Sequence, residues 1–180
     1  MSLFATTVQT QMESFIPVYQ HESIIATGNR FVGSKHAKTC VILALRHDKK
    51  VVLAHIDAMC LNSVQDMAER LPEYDEVHVA CPKVSTNEYN VWAHVQQYLK
   101  PWVSCDVGHE SCLAICPESG EVVREWGSEV TEETSEKWGR GMKMILTLEK
   151  SLPLRWFTFD GNTLTCEWEL PRPVFTFGIK

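Results

Sequence analysis

Residues Thr39–Asp57, TCVILALRHDKKVVLAHID, decide how this chain folds. Two apolar runs flank a charged segment, His47-Asp48-Lys49-Lys50, which is the pattern of a β-hairpin. A loop of two or four residues, the common even lengths, sets Cys40 opposite Asp57 and Ile42 opposite His55. Side chains alternate faces with a period of two, so Cys40, His55 and Asp57 then share one face. Cys40 and His55 become diagonal neighbours, roughly 7–8 Å apart at the backbone. The other face (Val41, Leu43, Leu45, Val52, Ala54, Ile56) is wholly apolar. A thiol, an imidazole and a carboxylate on a buried hairpin face are the parts of an activated-cysteine site. A three-residue loop would undo this, because a slip by one residue turns His55 to the opposite face. The plain alternative is a buried free cysteine beside a core histidine, since free cysteine is among the most buried residue types.

These same residues carry a family resemblance. Thr39-Cys40, the aliphatic strand, Leu45-Arg46-His47 and Leu53-x-His55-x-Asp57 resemble the core of protein N-terminal asparagine amidohydrolase. The Cys–strand–turn–strand–His layout is also similar to that of the protein glutamine deamidases, namely the chemoreceptor deamidase and the catalytic domains of cytotoxic necrotizing and lethal-factor-type toxins. In those proteins a nucleophilic cysteine precedes its histidine by one strand and one turn. Here Cys40 precedes His55 by 15 positions. Several of them have a threonine six residues before the cysteine, where this chain has Ser34. Thr39 stands where the glutamine deamidases often have a glycine. The resemblance covers Ser34–Asp57 well and the remainder only by the order of elements.

Composition sets broader bounds. With 180 residues, 44% of them hydrophobic, the chain is expected to form one domain, 1–180, with a proper core. Seventeen Lys plus Arg against 23 Asp plus Glu give a net charge of −6, which disfavours a nucleic-acid partner. No apolar run approaches the length of a membrane span, so no membrane partner is expected. The first 29 residues contain no Lys or Arg, the opposite of a secretory n-region. Seven cysteines, an odd number without a small-scaffold disulfide pattern, point to a reducing, cytoplasmic compartment. A protein delivered into a host cytosol by a dedicated secretion machine would read the same way.

Elsewhere strands outnumber helices. Ile24–Ala26 and Phe31-Val32 read as strands interrupted by Gly28 and Gly33 near a turn at Ser34. Asn62–Leu71 has helical spacing, with Val64, Met67, Ala68 and Leu71 on one face and Asn62 or Ser63 as cap. Val77–Cys81 reads as a strand, and a second helix opens at Ser85 or Thr86 and runs to Leu99, before Pro101. Strands are expected at Trp102–Val107, Cys112–Cys116 and Val122–Trp126, the last two joined by Glu118-Ser119-Gly120. Thr131–Lys150 is mixed: Gly139 and Gly141 argue against an unbroken helix. Arg155–Phe159 and Thr163–Trp168 form a hairpin around Asp160-Gly161-Asn162, and Val174–Ile179 is a further strand. The class is therefore α+β, with a β-sandwich-like core of mixed sheets flanked by helices. The resemblance implies the same architecture, that of a glutamine deamidase.

Cys105-x3-His109-x2-Cys112-x3-Cys116 gathers four zinc-type ligands, but without a Cys-x-x-Cys pair. On one strand Cys112 and Cys116 would lie about 13 Å apart, too far for a single ion. The expectation is therefore no metal and no organic cofactor. His36, His47, His78, His94 and His109 read as surface or strand residues. The six tryptophans read as core anchors, because no basic groove accompanies them.

The functional expectation is a cysteine amidohydrolase that deamidates a glutamine or asparagine carboxamide on a target protein through a thioester, in the manner of a bacterial toxin or effector. Cys40 is the nucleophile, expected as a thiolate, and His55 the general base. Ser34 or Asp57 orients His55: strand geometry favours Asp57, the resemblance Ser34. The alternatives are an N-terminal asparagine amidohydrolase, a thiol protease or acyltransferase built on the same dyad, and an interaction domain without chemistry.

Overall fold

The computed structural model describes residues 12–58, 63–83, 91–133 and 155–167. Their strands are β1 (Ser14–Pro17), β2 (Glu22–Ala26), β3 (Val32–Ser34), β4 (Val41–His47), β5 (Lys50–Ile56) and β6 (Glu76–Ala80). Then follow β7 (Cys105–Gly108), β8 (Leu113–Ile115), β9 (Val122–Val123), β10 (Thr131–Glu132), β11 (Arg155–Phe159) and β12 (Leu164–Glu167). Two short helices, α1 (Ser63–Arg70) and α2 (Val91–Gln96), complete the described elements.

The β4–β5 hairpin closes with a two-residue loop. His47 pairs with Lys50, and Asp48 and Lys49 both take positive φ, 43° and 64°. Two consecutive left-handed residues match the right-handed twist of the flanking strands. The register that follows pairs Ile42 with His55 and Val41 with Ile56. His55 therefore lies on the same face as Ile42.

The strands form two mixed sheets. Seven run in the order β12-β11-β2-β5-β4-β6-β7 and five in the order β10-β1-β3-β8-β9. One apolar cluster joins them: Ile42, Ala44, Leu53 and Phe157 of the larger sheet meet Ile16, Val32, Leu113 and Ile115 of the smaller. The other face of the larger sheet, with Val41, Leu43, Leu45, Val52, Ala54 and Ile56, packs against Val64 and Met67 of α1 and Val91 and Val95 of α2. The alternation in the hairpin thus separates two cores, one between the sheets and one under the helices. Among the described residues strands far outnumber helices, in a mixed, layered fold.

Glycine permits close approach at Gly33 and at Gly120. A Cβ on Gly33 would meet the Ala114 Cβ at 2.7 Å and the Leu113 carbonyl at 2.9 Å, so β3 lies against β8 only because residue 33 has none. Gly120, at φ 77°, leaves room for the guanidinium of Arg46. Arg46 donates to the carbonyls of Pro117 (3.0 Å) and Glu118 (3.2 Å) and binds Glu76 through Nη1 at 2.9 Å. That residue of the Leu-Arg-His motif fastens the turn end of the hairpin to the β8–β9 turn.

Several expected boundaries move. The strand expected at Trp102–Val107 begins at Cys105, because Pro101 opens a turn in which Val103 N–H reaches the Lys100 carbonyl and Trp102 is 77% exposed. α2 ends at Gln96, where Tyr98 and Leu99 continue in tighter turns that bond to the third residue back. β8 and β9 are shorter than expected, and Ser34 ends a strand instead of forming a turn. The hairpin at Asp160-Gly161-Asn162 is present, closed by the Asp160 carboxylate accepting from Asn162 N–H (2.8 Å) and Thr163 N–H (2.7 Å). Asn62, Ser85, Thr86, most of Thr131–Lys150, Trp168 and Val174–Ile179 lie outside the described residues.

Candidate active site

Ser34 is the last residue of β3 in the smaller sheet, and Cys40 immediately precedes β4 in the larger. The five residues between them carry the chain across the gap between the sheets, which pack about 10 Å apart. The buried methyl of Ala37 and the bond from its N–H to the Ser111 carbonyl (3.0 Å) hold this crossing segment. His55 and Asp57 arrive from the far end of β5. Cys40 lies two residues before Ile42, and Asp57 two after His55, so all three side chains fall on the inter-sheet face. Cys40 is half-buried against that core; Ser34, His55 and Asp57 are buried.

The Ser34 hydroxyl lies 2.8 Å from His55 Nδ1 and donates to the carbonyl of Val18. A hydroxyl has one hydrogen, and the Val18 oxygen can only accept. His55 Nδ1 must therefore be the donor to Ser34, which leaves the lone pair on Nε2. Of the two residues expected to orient His55, Ser34 makes the hydrogen bond to Nδ1. The Asp57 Oδ2 atom accepts from Gln20 Nε2 at 2.6 Å and pairs with His21 Nε2 at 3.1 Å. Gln20 also bridges to His55 in a parallel main-chain pairing.

The electrostatics are those of a neutral resting pair. Burial, opposed by the Asp57 charge, pushes His55 down to about 4. Burial and the Asp57 charge raise Cys40 above its ordinary value. At neutral pH the thiol keeps its proton and the imidazole stays uncharged. Both shifts run against the thiolate expected at Cys40 and favour a neutral thiol beside a neutral imidazole. His55 Nε2, uncharged and with a free lone pair, is suited to accept that proton.

His21 and Gln20 had no signal in the sequence. They lie in a polar turn, and their partner Asp57 is brought to them only by the β2–β5 pairing.

The four zinc-type residues do not form one cluster. Cys105 lies on β7 of the larger sheet, whereas Cys112 and Cys116 flank β8 of the smaller. His109 Nδ1 bonds to the Cys81 carbonyl (2.9 Å), and Cys112 Sγ donates to the Arg124 carbonyl (2.8 Å). Among the described residues, no group of three or more His, Cys, Asp and Glu side chains is arranged to hold a metal ion. The six cysteines there are free thiols, and no helix among the described residues is long and apolar enough to cross a membrane.

Comparison of the chain with protein-family models and with curated proteins gives no match.

Proposed function

We propose that the protein is a cysteine amidohydrolase of the glutamine-deamidase type, acting on a glutamine or asparagine carboxamide of a protein. The observation that carries this reading is the Val18–Ser34–His55 chain of hydrogen bonds, which leaves the Nε2 lone pair on the face shared with Cys40. Cys40 Sγ attacks the carboxamide carbon while His55 Nε2 takes the thiol proton. The tetrahedral oxyanion is held by the Cys40 N–H. His55 returns the proton to nitrogen, ammonia leaves, and a thioester remains. Water then attacks, giving its proton to Nε2, and the thioester opens to a carboxylic acid and the free thiol. No metal or organic cofactor enters these steps.

An activated cysteine alone is equally compatible with proteolysis or acyl transfer. The resemblance at Ser34, Cys40, His55 and Asp57 favours deamidation. Recognition is assigned to the loops around the site, which suits the surface of a folded partner. The second reading, hydrolysis of an N-terminal asparagine, rests on the Thr39-Cys40 and Leu53-x-His55-x-Asp57 motifs. A panel of free glutamine and asparagine, a peptide beginning with asparagine, and a lysate of folded proteins separates these readings by ammonia release and peptide mass. The proposal expects turnover on internal side chains of folded proteins. Turnover confined to the asparagine peptide would establish the second reading, and rapid turnover of free amino acids would contradict both.

A further inference from the structure

The turn between β1 and β2 holds two side chains that the dyad does not use. Glu22 N–H closes it onto the Tyr19 carbonyl at 3.0 Å, with His21 at φ 66° in the third position. Glycine or asparagine normally takes that left-handed place. His21 is anchored there by its carbonyl, which accepts from Arg155 N–H at 2.8 Å. Its Nε2 pairs with Asp57 Oδ2, the same oxygen that Gln20 reaches, while its Nδ1 is buried without a hydrogen-bond partner. Two successive turn residues thus converge on one carboxylate oxygen beside the proposed nucleophile.

A buried carboxylate facing a thiol opposes its ionisation, and solvent screens that field poorly. Asp57 acts on Cys40 in this sense. Asp57 also raises His21 above its ordinary value, so the ring readily takes the proton that cancels the carboxylate charge. The other charged or titratable groups around the turn include Tyr19, hydrogen-bonded to Glu132, which pairs in turn with Lys35 at 2.8 Å, Glu22, paired with Arg155 at 3.7 Å, His55 on β5, and His36 on the crossing segment. Of these, His55 stays neutral at pH 7, and Arg155 offsets Glu22.

Building on the deamidase reading, we infer that His21 is a charge-compensating, positioning residue of the site: as an imidazolium paired with Asp57, it removes that carboxylate's opposition to ionisation of Cys40 during attack. Asp57 fastens the Gln20-His21 turn to the hairpin, and His21 keeps that fastening from suppressing the nucleophile.

The test is the rate of Cys40 alkylation by iodoacetamide, followed by peptide mass mapping between pH 6 and 10. The wild type is compared with His21→Asn, Asp57→Asn and the double variant, with exposed Cys166 as an internal reference for the reagent. Asparagine tolerates the left-handed turn and carries no charge. At pH 7 His21→Asn should label Cys40 about tenfold more slowly, the effect of one pH unit in thiol ionisation. The gap should close at the alkaline end, where wild-type His21 is itself neutral. The double variant should return to near the wild-type rate, because carboxylate and cation are removed together. Equal rates for His21→Asn and wild type across the range would overturn the inference, as would a double variant as slow as His21→Asn. Deamidation is scored separately with Cys40→Ser. Absence of deamidation by the wild type, or activity surviving in that variant, would defeat the reading of Cys40 as a deamidase nucleophile while leaving the alkylation result standing.

Discussion

Ser34 holds His55 in its Nδ1–H tautomer because its single hydrogen is committed to the Val18 carbonyl. Replacing it with alanine removes the acceptor and leaves the Nδ1–H buried without one, at a cost of about 1–3 kcal/mol. The imidazole then gains from turning over or shifting, and deamidation should fall by about a hundredfold or more, the usual range for a misplaced general base. Ser34→Thr keeps the hydroxyl and should retain most of the activity. Rates measured beside unfolding curves check this: a fully active Ser34→Ala would remove Ser34 from the mechanism. The shared face of Cys40, His55 and Asp57 was legible because it depends only on a local hairpin and its period of two. The choice between Ser34 and Asp57 was not, because it depends on which residues of the other sheet and of the β1–β2 turn face the hairpin. The resemblance pointed to Ser34, whereas strand geometry alone pointed to Asp57. The carboxylate proves to be bound by Gln20 and His21.

The elements most plainly legible in the sequence are those stabilised by their own neighbours. The β4–β5 and β11–β12 hairpins close over short loops, and α1 shows its buried Val64 and Met67 as a helical stripe. β1 escaped notice because its four residues, Ser14–Pro17, pair in parallel with β3 on one side and β10 on the other, both distant in sequence. The two-residue β10 has no periodicity to read at all. The same long-range pairings make the site. β3 brings Ser34, the β1–β2 turn brings Gln20 and His21, and only the hairpin residues are local. A short strand whose partners lie far along the chain is specified by tertiary packing more than by its own propensity.

For the molecule as a whole, a histidine buried and kept neutral ties folding to pH. The unfolded chain protonates His55 near 6.5, while the folded site resists until about 4. As pH falls through that window the unfolded state binds the proton first. The stability is therefore complete above pH 6.5 and is lost progressively down to about 4, by at most about 3 kcal/mol. His21 has the opposite sign. Raised by Asp57, it contributes stability that is complete below 6.5 and fades as pH rises through its folded value. Urea unfolding of the wild type and His55→Gln between pH 4 and 7 separates the two groups. The variant should lose less stability than the wild type as the solution is acidified, and parallel curves would contradict a buried neutral His55.

The central claim is that Cys40 and His55 act together on a carboxamide, and its most direct measurement is site-resolved deamidation. A lysate of folded proteins is incubated with the wild type, Cys40→Ser and His55→Ala, and glutamine and asparagine side chains are scored by peptide mass for conversion to the acid, with ammonia measured in parallel. The account predicts conversion at defined side chains by the wild type and none by either variant, because the members of a dyad fail as a unit. Conversion that persists in Cys40→Ser, or a wild type that cuts chains without releasing ammonia, would contradict it.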